Sequence, residues 1–214
     1  MKLAPEGLPF VVGGAVILAL LVVMAAAAGG IWYLLPLVWA PVALWIPAFF
    51  RDPVRSGPRG DRLVLAPADG RVVSVTTVQD ADADGGSALR VAIFMNVFNV
   101  HVNRHPVDGT VVLRRYRPGL FLNASLDKAS EGNERMTLGI RTDRGTVVVR
   151  QIAGLIARRI VTDPGVGEGV RQGERLGLIR FGSRVDTLLP PGAQPRVAPG
   201  DRTYAGLTVI AEWP

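Results

Sequence analysis

The chain of 214 residues contains no cysteine. That excludes a disulfide framework, a thiolate–zinc site, c-type haem attachment and a cysteine nucleophile. Histidine is almost as scarce. With His101 and His105 as the whole complement, a multi-histidine metal centre is not expected, and no metal is assigned. There are two lysines, Lys2 and Lys128, and every other basic residue is arginine. A pyridoxal-phosphate-type Schiff base would therefore have one candidate outside the N-terminal tip. Chemistry at an amine or carbonyl group must find its electrophile elsewhere. Aromatic residues make up 7% and crowd toward the N-terminus, which leaves no stacking platform for single-stranded nucleic acid. No nucleic-acid partner is expected.

What is present is unevenly placed. Hydrophobic residues make up 49% of the chain, and the first fifty positions take a large share. Leu8 to Ala28 is almost wholly apolar, Gly29-Gly30 interrupts, and Ile31 to Phe50 is apolar again. Each run approaches the roughly 20 residues that a membrane-spanning helix needs. A Gly-Gly break suits a tight helical hairpin, with Pro36, Pro41 and Pro47 kinking its second arm. A cleaved signal peptide fits less well, because Lys2 is a thin basic lead and another apolar run follows. Arg51, Arg55, Arg59 and Arg62 come next, so the positive-inside rule puts this flank on the cytoplasmic side. The net charge of +6 and a pI near 10.6 fit an anionic membrane surface.

The expected organisation is a membrane hairpin over 1–50, a Pro/Gly-punctuated linker over 51–62, and a β-rich domain over 63–214. No long 3.6-period helix is visible after Phe50. Strand patterns run over Arg71 to Val78, Ala88 to Met95, Thr110 to Arg115, Thr137 to Arg141, Thr146 to Ile152, Leu155 to Val161, Leu176 to Phe181 and Thr208 to Glu212. Asp143-Arg144-Gly145 reads as a hairpin turn. Asp80 to Gly86 reads as a polar turn, and it lacks the later carboxylates of a calcium loop. Two weak repeats, P-A-D-G-R-V-V with P-V-D-G-T-V-V and V-R-Q-G-E-R-L-G-L-I with V-A-P-G-D-R-T-Y-A-G-L-T-V-I, look like the barrel-sandwich folds of biotinyl and lipoyl carriers. Neither lysine lies at a hairpin tip, so a swinging-arm carrier is not expected.

Several residues have two readings. Gly182-Ser183, entered by an apolar run and left by a short polar one, is either a bend or bulge or a self-processing bond whose Ser hydroxyl attacks the open Gly carbonyl. Asp69 in P-A-D-G and Asp108 in V-D-G read, on their own, as Asp-Gly turn residues. If Val97 to Arg104 is extended, Asn99, His101 and Asn103 share one face. The two imidazoles are the natural candidates for acid or base work near neutral pH, with a pKa-shifted carboxylate as the alternative. His105 precedes Pro106 and is expected to be extended. Asn133-Glu134-Arg135 follows a long polar loop, which is either solvated or ligand-binding.

Six motifs in order carry a specific resemblance: F-F-R-D-P at Phe49, A-P-A-D-G at Ala66, H-V-N-R-H-P-V-D-G at His101, G-N-E-R at Gly132, Q-I-A-G-L-I-A-R-R-I at Gln151 and G-L-I-R-F-G-S-R-V-D at Gly177. From Phe49 onward the chain resembles short-type bacterial and archaeal phosphatidylserine decarboxylase proenzymes. The resemblance implies self-cleavage at Gly182-Ser183 into a β chain, 1–182, and an α chain, 183–214, whose Ser183 becomes a pyruvoyl group. That covalent cofactor forms a Schiff base with membrane phosphatidylserine and decarboxylates it to phosphatidylethanolamine. It further implies catalytic roles for Ser183, Asp69 and His101, with His101 the protonating acid. Long forms carry a second histidine three residues after the first. That position is Arg104 here, so either His101 serves both steps or His105 shares them. An Asp often found two residues before the first histidine is Asn99. Asn133 and Arg135 are the candidate head-group ligands. The implied partners are phosphatidylserine and the protein's own two chains, with a homo-oligomer left open, at the inner membrane. The competing readings are a non-enzymatic membrane-anchored barrel-sandwich adaptor, which needs no cut, and a serine hydrolase, for which the G-x-S-x-G elbow is missing.

Overall fold

A computed structural model describes residues 2–122, 132–154, 159–180 and 183–214. Lys128, Leu155 to Arg158 and Gly182 lie outside these residues. The chain divides into two compact units, Met1–Val54 and Arg55–Pro214.

In the first unit, β1 (Lys2–Leu3) leads into α1 (Leu8–Ala28); a 3-10 turn, Gly30–Tyr33, leads into α2 (Leu34–Phe49), and β2 (Arg51–Asp52) closes the unit. The predicted helical pair is present. Gly29 ends α1 at φ 69°, a left-handed conformation that suits glycine. The second arm begins as a 3-10 turn rather than a helix from Ile31. Trp39 Nε1 donates to the Gly14 carbonyl at 3.0 Å and ties the two helices together. β1 and β2 pair antiparallel, which brings the ends of the hairpin side by side. The helices stay apolar outward: Leu20, Val23, Val38 and Leu44 are each more than 60% exposed. By length and composition, Pro5–Ala28 and Gly30–Phe49 are each able to cross a membrane.

The second unit is built from β3 (Leu63–Leu65), β4 (Gly70–Gln79), β5 (Ser87–Met95), β6 (Val102–Arg104), β7 (Gly109–Arg117), β8 (Arg135–Thr142), β9 (Gly145–Ala153), β10 (Ile160–Thr162), β11 (Gly169–Val170), β12 (Arg175–Ile179), β13 (Ser183–Leu189), β14 (Gln194–Pro195), β15 (Arg202–Thr203) and β16 (Val209–Glu212). A curled eight-stranded antiparallel sheet in the order β11-β7-β8-β9-β13-β5-β4-β15 forms a half-barrel. Two small sheets, β10-β12-β6 and β14-β16-β3, accompany it. The fold is thus mostly β after a helical pair, as the alternation patterns require. One core unites Val91, Ile93, Leu138, Val149, Val185 and Ile210, all essentially unexposed.

The polar run expected after Gly182 is instead β13, a central strand with every residue buried. Alternation explains this. Ser183, Val185, Thr187 and Leu189 face one way, and Val185 and Leu189 are part of the core. Arg184 and Asp186 face the other way, where Arg184 Nε donates to Asp186 Oδ1 at 2.5 Å. Two charges that would forbid a buried strand singly offset one another as a pair.

The stretch expected to be a linker is also bound down where it enters the second unit. Arg55 pairs with Asp69 at 2.8 Å, Arg59 donates to the Gly206 carbonyl at 2.9 Å, and the Gly60 amide donates to Gln172 Oε1 at 3.0 Å.

Candidate active site

Strand register sets Ser183 and Asp69 at one end of the half-barrel. Ser183 opens β13, opposite Met95 at the end of β5 and Ala153 at the end of β9. Arg71 and Arg184 flank Phe94 from its two sides, so Asp69, just before β4, lies at this same end, two strands from Ser183. Gly70 makes the corner possible. A Cβ there would meet the Phe94 carbonyl oxygen at 2.2 Å, so no other residue lets β4 start this close to β5.

Ser183 is fully buried, and its Oγ finds no hydrogen-bond partner among the described residues. A buried hydroxyl without a partner is costly in a finished fold, and such groups mark functional positions.

His101 is fully buried rather than exposed. The Ile179 amide donates to its backbone carbonyl at 3.4 Å, four residues before Ser183. Its Nδ1 lies 3.0 Å from the Asn99 carbonyl. A carbonyl only accepts, so Nδ1 carries the hydrogen and Nε2 is the basic nitrogen of the neutral ring. The Asn99 side chain is engaged elsewhere, its Oδ1 accepting from the Asn96 amide at 2.9 Å. Residues 96–99 thus form a turn rather than a continuous strand, and the predicted shared face begins only after it. The orienting role that a carboxylate would fill falls to a backbone carbonyl.

His105 stands at the far end of β6. Its amide donates to the Glu174 carbonyl and its carbonyl accepts from the Gly173 amide, each at 2.8 Å. It lines a separate recess with Asp163, Glu168 and Glu174. Its ring is buried, and Nδ1 has no hydrogen-bond partner among the described residues. Burial pulls its pKa down to about 4, so the ring is neutral at physiological pH.

Asp69 is buried. Its Oδ2 accepts from Arg55 at 2.8 Å and its Oδ1 from the Ala205 amide at 2.7 Å. It is a charged anchor that joins the entry segment, β4 and the turn after β15, not a hairpin turn. Asp108 accepts from the Gln172 amide at 2.8 Å and stays outside this end.

The two candidate head-group ligands are placed differently. Asn133 is buried, and both its amide hydrogens are used: Nδ2 donates to the Leu122 carbonyl at 2.8 Å and to the Ala153 carbonyl at 2.7 Å, while Oδ1 accepts from the Leu122 amide at 2.9 Å. It braces the residue that pairs with Ser183. Arg135 and Arg184 both pair with Ile152, so by alternation Arg135 shares the face of Arg184 and turns away from the Ser183 face. Burial, then Arg150 and Arg117, pull its pKa down.

Three features escaped the sequence. Arg55, in the Pro- and Gly-rich stretch that composition marks as a linker, holds Asp69. Beside Ser183 on its own face runs a buried amide chain. Asn103 Nδ2 donates to Met95 Sδ at 3.6 Å, Gln151 Nε2 to Asn103 Oδ1 at 2.8 Å, and Thr162 Oγ1 to Gln151 Oε1 at 2.6 Å. On the opposite face the acidic turn clamps β9: Arg150 donates to Asp80 at 2.5 Å and to Asp82 at 2.7 Å. Burial works against the charge on Asp80, but Arg150 outweighs it and holds that carboxyl below its ordinary range. Only the last left a signal, the D-A-D-A-D spacing opposite an arginine at a strand centre.

Among the described residues no group of acidic or histidine side chains could hold a metal. The candidate enzyme site thus comprises one serine, one imidazole oriented by a carbonyl and one carboxylate anchored by Arg55, contributed by neighbouring elements.

Comparison with known proteins gives this class its family. A family model described as phosphatidylserine decarboxylase matches residues 42–211. A phosphatidylserine decarboxylase proenzyme of Nitrosomonas europaea is 53% identical over 212 residues, covering 99% of this chain and 95% of that protein. One from Cupriavidus pinatubonensis is 50% identical, covering 98% and 94%. The chain belongs to the phosphatidylserine decarboxylase family.

Proposed function

We infer that this chain is a membrane-associated proenzyme that cuts itself at Gly182-Ser183 and then decarboxylates phosphatidylserine to phosphatidylethanolamine. The carrying observation is Ser183, whose buried Oγ lacks a hydrogen-bond partner among the described residues, with Asp69 two strands away at the same end of the sheet and the His101 carbonyl bonded by the Ile179 amide four residues before it. In this reading His101 Nε2 takes the Ser183 proton, the freed oxygen attacks the Gly182 carbonyl, and the amide becomes an ester. Loss of the Ser183 α-proton expels the Gly182 carboxylate, and water then displaces ammonia to leave a pyruvoyl end on residues 183–214. The site fits that group, because Ser183 is held by strands on both sides and needs no lysine or metal. The group supplies the carbonyl that receives the lipid amine and the sink for the electrons left by carbon dioxide. His101 then returns a proton to the product carbon. Asp69, through Arg55 and the Ala205 amide, and Asn133, through Ala153, hold the corner in place as positioning residues.

The organisation follows: 1–50 anchors, 51–62 leads into the catalytic domain 63–214, and the arginine-rich flank sets that domain on the cytoplasmic side of the inner membrane. The adaptor reading gains nothing from the family match. Denaturing electrophoresis with intact mass tests the proposal. Purified active protein should run as residues 1–182 and 183–214, the small fragment lighter by one ammonia than its serine form and blocked at its N-terminus. Activity in a wholly uncut chain would sink the reading.

A further inference from the structure

The buried amide chain on the Ser183 face is laid across β13. Met95 is the direct partner of Ser183 on β5, and Gln151 is the direct partner of Val185 on β9. Directly paired residues share a face, so Met95, Gln151, Ser183 and Val185 all point the same way. β5 and β9 border β13 on opposite sides, two strand spacings or about 10 Å apart. Asn103 of β6 bonds to both, through Nδ2 to Met95 Sδ at 3.6 Å and through Oδ1 to Gln151 Nε2 at 2.8 Å. One side chain reaches both only by lying over β13, between Ser183 and Val185. Asn103, Met95, Gln151 and Ser183 are each at most 1% exposed, so this crossing is shielded from solvent.

The network also sets which end of the Asn103 amide serves the Ser183 side. Gln151 Nε2 donates to the Val161 carbonyl at 3.5 Å, and Gln151 Oε1 accepts from Thr162 Oγ1 at 2.6 Å. A carbonyl only accepts, so the Gln151 orientation is fixed, and Asn103 must offer it Oδ1 and send Nδ2 to the Met95 side, where Ser183 stands. A thioether is a weak acceptor, and among the described residues it is the only one Nδ2 has. A loosely held donor therefore adjoins a buried hydroxyl that has no partner. While Oγ acts as nucleophile, that separation leaves its lone pairs free. We propose that Asn103 Nδ2 donates to Oγ of Ser183 when that oxygen departs during self-processing. This rests on the self-cleavage reading above. In the ester, Oγ joins the Gly182 acyl carbon to Ser183 Cβ, and the first proton has passed through His101 to the freed Ser183 nitrogen. The Ser183 α-proton then goes to the restored base, a Cα–Cβ double bond forms, and the Cβ–Oγ bond breaks. Its electron pair stays on Oγ, which leaves as one oxygen of the Gly182 carboxylate. Negative charge thus grows on Oγ in a buried place, where a fixed neutral donor acts most strongly.

The test follows the full-length chain, made by cell-free translation with liposomes, through a time course of denaturing electrophoresis. Each sample is run with and without prior treatment with hydroxylamine, which splits esters and spares amides. Asn103→Asp keeps the size of the side chain and an acceptor for Gln151 but removes the amide donor. It should slow release of residues 183–214 by about tenfold or more, the loss expected for a hydrogen bond to a developing charge. The uncut chain should be held as the ester, so hydroxylamine should release residues 183–214 with an ordinary serine at the N-terminus. Gln151→Glu leaves Asn103 itself intact. Its carboxylate only accepts, so it draws Asn103 Nδ2 toward itself and away from Oγ, and the same ester should accumulate. Release at the wild-type rate in both variants would overturn the proposal. So would uncut chains that hydroxylamine leaves whole in both, because the block would then fall before the ester. A wild type that never cuts would count against the self-cleavage reading and remove the proposal with it, whereas a wild type that cuts alongside unaffected variants removes the proposal alone.

Discussion

His101 and His105 bracket the same short strand, β6, yet their surroundings differ in kind. At the His101 end the chain meets Ile179 four residues before Ser183, the ring has one nitrogen committed to the Asn99 carbonyl, and Ser183 and Asp69 lie at the same end of the sheet. At the His105 end the backbone is bonded on both sides to residues 173 and 174, and the ring is buried with its pKa pulled down to about 4. One imidazole has its tautomer set by a carbonyl; the other is kept neutral by burial down to about pH 4. Four residues of extended chain, about 13 Å, separate the two, so the two rings meet different surroundings.

The largest effect that bears on this contrast belongs to Ser183 itself. Ser183→Ala should stay as one uncut chain and lose all decarboxylation, read by electrophoresis and carbon dioxide release. Next come the two rings compared directly. His101→Ala should slow self-cleavage by at least about a hundredfold, the range for a lost general base. His105→Gln should still be cut and should lose thermal stability instead. If the two variants exchange those phenotypes, the contrast between the strand ends is wrong.

A smaller effect probes the opposite face of β13, the strand that Ser183 opens. Asp186→Ala leaves the fully buried Arg184 without its 2.5 Å partner and should cost about 3 kcal/mol. The double replacement Arg184→Met with Asp186→Leu should recover most of that cost, measured as the unfolding midpoint of uncut protein. Additive losses would show that the two charges do not act as a pair.

Much of this was legible in the sequence, and what was not has physical causes. The helical pair and the outer strands showed because apolar runs and strict alternation are local signals. β13 did not, because Arg184, Asp186 and Thr187 read as solvent-exposed until a two-residue ion pair makes them compatible with burial. Asp69, His101 and Ser183 stood out as chemistry-bearing residues within motifs. The placing of Ser183 and Asp69 at one end depends on the register of β4, β5 and β13, which no local pattern encodes. Asn133 and Arg135 were picked out because they follow a long loop. Where their side chains point was decided by the Ala153 carbonyl and by strand alternation. Arg55 was hidden by the Pro- and Gly-rich composition of its neighbours, although it holds Asp69.

An effect of similar size, spread over a pH range, is one that only the His105 end should carry. Its pKa falls from an ordinary 6.5 to about 4 on folding, with burial the cause. Between those values the unfolded chain binds a proton that the folded chain refuses. Stability therefore rises with pH across this window and is lost as pH falls from 6.5 toward 4, by about 3 kcal/mol in all. Above about 6.5 the residue contributes no slope. Asp80, held below its ordinary range by Arg150, also weakens the fold in acid, so one curve is not enough. The Ser183→Ala proenzyme, a single chain, and the same protein with His105→Gln should be unfolded thermally from pH 4 to 7.5. The Gln variant should be less dependent on pH between 4 and 6.5, and the two curves should run parallel above that range. Parallel curves throughout would mean that His105 takes up its proton as readily in the folded chain as in the unfolded one, and the distinction between the two ends of β6 would lose its electrostatic half.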